Sequence, residues 1–204
     1  DLKACYLKYG FGSKTGFTMN REEAGSIDYT YQIEAATAGY GQGITTTPIQ
    51  HLQALTIISN NGTMLKPYII DKIVDTDTGK TIYKGKSKKV GTVVSSTTVT
   101  KMKELMASVI NGDNTNSTGY LYHMDGYSLI GKTGTAQKIP RSAGTYIVSF
   151  CGFAPVENPQ VLVYVVIDEI QRDSQTNTGL AVEIAKKVLE GSLKELNVAK
   201  SSKK

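Results

Sequence analysis

Cysteine and histidine are scarce, with two of each in 204 residues. Cys5 and Cys151 stand far apart and form neither a Cys-x-x-Cys pair nor a zinc spacing, so both are expected to be free structural thiols. His51 lies beside an apolar helical stripe and His123 lies in a loop. Two isolated histidines do not make a metal site or a triad. Long apolar runs are also missing: the longest, residues 161–167, is far too short to cross a bilayer. No charged-then-apolar leader opens the chain, which starts on Asp1-Leu2-Lys3 as a cut through a longer protein would. An upstream targeting segment stays open. There is no internal repeat. Gly39, Gly41 and Gly43 are not followed by a Lys-Ser/Thr pair, which argues against a phosphate loop.

What is present is ordinary for a globular protein: 40% apolar and 20% charged residues. The net charge of +5 suits an anionic partner such as nucleic acid, an anionic membrane or an acidic cell-wall polymer. Much of it sits in Lys84, Lys86, Lys88 and Lys89 and in the tail lysines Lys200, Lys203 and Lys204, runs that read as solvated surface.

Along the chain, residues 2–9 read as the end of a helix, with Leu2, Cys5, Tyr6 and Tyr9 on one side. Residues 11–43 read as ordered loop with short elements. Thr45-Thr46-Thr47-Pro48 is a helix start, followed by Ile49, Leu52, Leu55 and Ile58 at helical spacing and ended by Asn60-Asn61-Gly62. Residues 68–74 and 81–84 read as two strands around a turn. A helix over 96–110 presents Val99, Met102, Leu105, Met106 and Ile110. Three strands follow, at 128–137, 145–153 and 161–168. The run 161–167 lacks alternation and is expected to be buried on both faces. The last helix, 178–196, carries a stripe of Leu180, Ile184, Val188, Leu193 and Leu196. Residues 198–204 are expected to be a disordered basic tail, leaving 1–197 as the folded part. Short connections between the last three strands favour an α+β fold: an antiparallel sheet flanked by helices.

The residues that carry chemistry are Ile130-Gly131-Lys132-Thr133-Gly134-Thr135-Ala136-Gln137. Lys-Thr-Gly opening a strand is one of the signatures of penicillin-binding proteins and related β-lactamases. Gly131 before it and Thr135-Ala136-Gln137 after it resemble the monofunctional, division- or sporulation-type transpeptidases. Phe150-Cys151-Gly152-Phe153-Ala154-Pro155 is similar to that family's next strand and exit turn. Upstream, Phe11-Gly12, Thr15-Gly16, Gly39-Tyr40-Gly41-Gln42 and Thr47-Pro48-Ile49-Gln50 follow in the family's order.

The resemblance implies the C-terminal portion of the penicillin-recognising fold, with acyl transfer from D-Ala-D-Ala stem peptides through an acyl-serine. On that carry-over Lys132 sets a positive charge beside the nucleophile, Thr133 and Thr135 hold the substrate carboxylate, and Gly134 leaves room. The Thr135 N–H supplies an oxyanion donor, and Gln137 walls the groove. No cofactor or metal is implied. The implied partners are the peptidoglycan stem peptide, β-lactam antibiotics, the upstream half of the same domain and cell-division or sporulation wall-synthesis proteins, with no nucleic acid. The implied location is the extracytoplasmic face of the membrane, through an upstream anchor.

The chain departs from the family pattern in two places. The Ser-x-x-Lys nucleophile motif and the Ser-x-Asn motif are expected upstream of residue 1. The literal matches, Ser201 to Lys204 and Ser59-Asn60-Asn61, lie in a tail and at a helix end, where nothing positions a nucleophile. Asp173-Ser174-Gln175-Thr176-Asn177 stands where the family often has a Tyr-Gly-Gly-like stretch. A β-lactam sensor or β-lactamase relative, and a non-catalytic scaffold that kept the fold, are the alternatives.

Overall fold

The structure, a computed structural model, describes residues 1–17, 21–112, 117–171 and 178–201. The chain forms two compact units, Asp1–Ile57 with Gly62–Ser95, and Ile58–Asn61 with Ser96–Lys204.

In the first unit, α1 spans Leu2–Lys8, its first turn closed by the Asp1 carboxylate accepting from the Ala4 N–H. A helix that periodicity did not reveal, α2, spans Gln32–Ala38. Its start is held by Glu34, whose carboxylate accepts from the backbone N–H groups of Thr30 and Tyr31 at 2.8 and 2.9 Å. Those two bonds keep the Glu34 carboxyl below its ordinary pKa.

Helix α3 spans Pro48–Ser59. Thr47 and Gln50 close its first turn reciprocally: the Gln50 N–H donates to Thr47 Oγ1 and the Thr47 N–H donates to Gln50 Oε1. Its fully buried residues are Gln50, Gln53, Leu55 and Ile57. Of the stripe read from the sequence only Leu55 is among them, because two glutamines, not Ile49, Leu52 and Ile58, turn inward to satisfy backbone groups. Gln50 Nε2 donates to the carbonyls of Ser13 at 2.8 Å and Ala24 at 2.7 Å, tying down a loop that has little secondary structure of its own.

Four short strands follow. β1 (Thr63–Lys66) pairs antiparallel with β4 (Lys88–Thr92), and β2 (Lys72–Val74) with β3 (Thr81–Lys84). β3 lies where the sequence placed it, and β2 occupies only the end of the strand expected over 68–74. β1 and β4 carry lysines where alternation would need apolar residues, and the pattern missed them. Ile57, Met64 and Val93 form the small core of this unit.

In the second unit α4 (Ser96–Asn111) precedes a three-stranded sheet of β5 (Ile130–Gln137), β6 (Thr145–Ala154) and β7 (Val161–Gln171). The order is β5-β6-β7, antiparallel throughout, and α5 (Thr178–Glu195) follows. Strand order, direction and the α+β class agree with the sequence. The core sets Val148, Phe150, Val163 and Val165 of the sheet against Ala181, Ala185, Leu189 and Leu193 of α5, with Ile110, Tyr122 and Met124 closing it.

Three side-chain expectations fail here. α5 buries Ala181, Ala185 and Leu189, whereas Leu180, Ile184 and Val188 are 50%, 44% and 46% exposed. Of the expected stripe Leu193 is buried as read and Leu196 is exposed, while over the first three turns the buried positions fall one residue further on, at Ala181, Ala185 and Leu189, where alanine lets the helix axis approach the sheet. On α4, Val99 and Ile110 are buried but Met102 and Leu105 are exposed. β7 is buried on one face only: Val163 and Val165 point into the core while Val166 is 39% exposed. Helix α5 covers just the face that carries Val163 and Val165, which explains the difference.

Four residues of the expected disordered tail carry partners in the structure or lie beside one that does. The Val198 N–H donates to the Leu193 carbonyl, Tyr127 Oη donates to the Val198 carbonyl, and the Ser201 N–H donates to the Gly126 carbonyl. Lys200 Nζ lies 5.7 Å from the centroid of the Tyr127 ring. Residues 202–204, and the stretch 173–177 that departs from the family pattern, lie outside the described residues.

Candidate functional site

β5 forms an edge of its sheet, so its outer side is open to an added strand. Alternation along β5 divides its residues between two faces. Lys132, Gly134 and Ala136 share one face and Gly131, Thr133, Thr135 and Gln137 the other. Register against β6 pairs Lys132 with Cys151, Gly134 with Ser149, and Thr135 with Val148. All five sequence-chosen residues therefore lie within six consecutive positions of one strand.

Lys132 is exposed, and its ammonium donates to the Thr133 carbonyl at 2.8 Å. Opposite it, burial pushes the Cys151 thiol up to about 12, so the neighbouring strand presents an uncharged sulfur to the lysine. Thr133 Oγ1 donates to Thr118 Oγ1 at 3.1 Å, a hydroxyl–hydroxyl contact that leaves acceptor lone pairs on both oxygens. Thr135 is exposed. A Cβ on Gly134 would lie 2.6 Å from Ser149 Oγ, so the strand can hold only glycine there unless Ser149 moves. Gln137 Nε2 donates to the Arg141 carbonyl at 3.2 Å and so braces the β5–β6 connection.

The sequence reading passed over several residues that shape this strand. Thr118 supplies the partner of Thr133 from the loop after α4. Ser149 lies under Gly134 and shares a hydrogen bond with Tyr164, whose phenol is also raised by burial. Lys138, just past β5, reaches Asp168 at 2.8 Å and Glu169 at 2.9 Å on β7, spanning the intervening β6. These carboxylates raise the Lys138 pKa, and the same lysine lowers that of Asp168. Glu169 takes φ +58, in the left-handed region, at the irregularity of the β6–β7 register. Nothing in the sequence pattern announces a lysine bridging two strands that are not neighbours.

Neither histidine lies on β5. His51 is half-buried, and this desolvation lowers its pKa, while its Nε2 lies 2.8 Å from Thr46 Oγ1. His123 faces Asp125 at 3.7 Å. Among the described residues no group of histidine, cysteine and carboxylates could hold a metal ion. Cys5 and Cys151 are free thiols. Ser59 closes α3. No described helix is long and apolar enough to cross a membrane.

The family model of the penicillin binding protein transpeptidase domain matches residues 1–190. Stage V sporulation protein D of Bacillus subtilis is 35% identical over 200 residues, covering 95% of this chain and 30% of that protein. The probable peptidoglycan D,D-transpeptidase PenA of Neisseria flavescens is 32% identical over 171 residues, covering 82% of this chain and 39% of the relative. The chain thus spans only 30% to 39% of the length of these two relatives. In fold, it resembles the crystal structure of penicillin binding protein 3 from Mycobacterium tuberculosis complexed with aztreonam, with a TM-score of 0.84 at 24% identity, over 98% of this chain and 47% of that one. Neither curated relative bears the name of a sensor or a β-lactamase.

Proposed function

This chain belongs to the penicillin-binding protein transpeptidase domain family, and from that premise we propose that it is the substrate-holding part of a serine-type peptidoglycan D,D-transpeptidase. The reaction is acyl transfer. A serine attacks the carbonyl of a D-Ala-D-Ala stem peptide, the terminal alanine leaves, and an amine of a second stem resolves the acyl-enzyme. The serine belongs to a segment outside this chain. β-Lactams enter the same path and stop at the acyl stage.

The observation that carries the reading is the open edge of β5 with Lys132, Thr133, Gly134 and Thr135 in sequence along it. A stem peptide adds to that edge as an extended strand, gaining main-chain hydrogen bonds. Lys132, released from the Thr133 carbonyl, places its charge beside the nucleophile and favours the ionised hydroxyl. Thr133 and Thr135 bind the substrate carboxylate through their hydroxyls. The Thr135 N–H is one donor to the oxyanion, a contribution of about 2.7–4 kcal/mol to transition-state stabilisation. Gly134 leaves the space, and Gln137 closes the groove at its far end. The full protein works at the extracytoplasmic face of the membrane, anchored outside this chain, in division- or sporulation-type wall synthesis. No cofactor takes part.

Intact-protein mass spectrometry with penicillin tests this. The 204-residue chain alone is expected to form no covalent adduct. Joined to its upstream half it is expected to acylate, and Lys132→Ala is expected to slow that step about ten- to a hundred-fold. An adduct on the isolated chain overturns the placement of the nucleophile. Normal acylation by Lys132→Ala overturns the role of the motif.

A further inference from the structure

Of the hydroxyls on β5, that of Thr133 already has a partner. Thr133 Oγ1 donates to Thr118 Oγ1 at 3.1 Å, and Thr118 lies 15 residues earlier, in the loop after α4. Thr133 shares its face of the strand with Gly131 and not with Lys132, so the Thr118 loop meets β5 on the side away from the root of the lysine side chain. A hydroxyl carries one proton and two lone pairs. Thr133 can therefore donate to Thr118 or to a substrate carboxylate, but not to both.

The loop holds Thr118 in place by its neighbours. The Ser117 hydroxyl and the Gly119 N–H, one on each side of it, both donate to the Val109 carbonyl in the last turn of α4. Gly119 is buried, and a Cβ there would lie 2.7 Å from that same carbonyl oxygen, so this approach to the helix needs glycine. Past it, the Tyr122 N–H donates to the Gly119 carbonyl at 2.9 Å. The Tyr122 ring stacks on Phe150, which is the direct partner of Thr133 across β5 and β6. The loop is thus pinned to α4 at one end and to the sheet beneath Thr133 at the other. Its own fixing uses the side chain of Ser117 and the backbone of Gly119, whereas the exposed Thr118 hydroxyl bonds, among the described residues, to Thr133.

We propose that Thr118 is a positioning residue for the substrate carboxylate. As the carboxylate arrives the two hydroxyls turn, Thr118 donates to Thr133 Oγ1, and the Thr133 proton points at the carboxylate. This rests on the acyl-transfer reading, which sets Thr133 against that group. Only two hydroxyl hydrogens move, each by rotation about a single bond. The turned pair forms a chain from Thr118 through Thr133 to the carboxylate, in which each hydrogen bond polarises the next. A substrate strand added along β5 covers the pair and removes the water that competes with it. Without the Thr118 hydroxyl the Thr133 rotor loses the donor that sets its direction.

The test uses the protein with its upstream half and two probes, benzylpenicillin and its neutral methyl ester. The readout is the ratio of their second-order acylation rates, which a merely structural role of Thr118 would not move. Thr118→Val keeps the shape and removes the hydroxyl, and it is expected to lower the ratio of penicillin to ester about three- to tenfold. Thr118→Ser keeps the hydroxyl and is expected to restore the ratio. Thr133→Val is expected to lower the same ratio, and the double variant Thr118→Val with Thr133→Val no further, because the two hydroxyls act as one unit. If Thr133→Val lowers the ratio and Thr118→Val does not, the positioning role is overturned while the acyl-transfer reading stands. If Thr133→Val leaves the ratio intact, the placement of the carboxylate fails and the positioning role fails with it. Equal losses on both probes, additive losses in the double variant, or no rescue by serine also overturns the proposal.

Discussion

Gly131 and Gly152 are direct partners across β5 and β6, and the Phe150 ring fills the space where each would carry a side chain. That ring stacks on Tyr122 with centroids 3.8 Å apart and is fully buried. The strand that bears Lys132 is thus seated on an aromatic stack through a pair of glycines.

Gly131→Ala is expected to destabilise the chain by about 1–3 kcal/mol. The new Cβ would lie 2.4 Å from Phe150 Cζ and 2.9 Å from the Cys151 carbonyl oxygen. Gly152→Ala is expected to cost at least as much, because its Cβ would meet the Ile130 carbonyl oxygen at 2.5 Å, an atom that no rotamer change moves. Urea denaturation measures both. A Phe150→Leu background should relieve the first variant more than the second, and equal relief would mean that the ring is not the obstacle.

Gln50→Ala is expected to cost about 3 kcal/mol, since it strands the Ser13 and Ala24 carbonyls and the Thr47 N–H at a site where Gln50 is 1% exposed. The loss should appear first as faster proteolysis within residues 13–24. A variant whose loop resists protease as well as the parent would rule out the anchoring role.

The Lys138 bridge gives the sheet a defined pH window. Asp168 has a folded pKa below 3.8, so its contribution is present above that value and fades as pH falls through the lowered pKa. Lys138 has a folded pKa above 10.5, so its contribution is complete below that value and fades as pH rises through the raised pKa. Protection factors at the β5–β6 connection, which remove the intrinsic pH dependence of amide exchange, should therefore be flat between these limits and fall outside them. Lys138→Met is expected to flatten both ends. Unchanged acid and alkaline limbs in that variant would show that the pair is incidental.

Gly134→Ala separates room from stability. Its Cβ would fall 2.6 Å from Ser149 Oγ, the end of a short side chain that can turn aside, so the stability cost is expected to be about 1 kcal/mol. The methyl shares the face of Lys132, and penicillin acylation by the protein joined to its upstream half is expected to slow about tenfold or more. Stopped-flow acylation beside a denaturation curve distinguishes the two effects. A rate that falls only as far as the folded fraction does would assign Gly134 to packing alone.

Much of the candidate site was legible because it is written in consecutive residues. Lys132 to Gln137 sit on one strand, so chain connectivity keeps them together even though alternation divides them between its two faces. The three strands and their antiparallel order were legible for a similar reason: short connections leave no room for a crossover. Residues joined only by the folded structure were not. Thr118 meets Thr133 across a loop, and Lys138 reaches over β6 to Asp168 and Glu169. Hydrophobic periodicity also misjudged faces of α3, α4, α5 and β7. It ranks Leu180, Ile184 and Val188 above Ala181 and Ala185 by transfer free energy, yet α5 has space for alanine where it first meets the sheet and turns those three outward, while Leu189 and Leu193 are buried further along. It read the unbroken apolar run of β7 as two buried faces, although α5 covers only one. The sequence by itself determined strand, motif and order, because these depend on neighbours along the chain. Which faces are buried, and which distant groups meet, was decided by the tertiary structure, because burial depends on what lies across the contact.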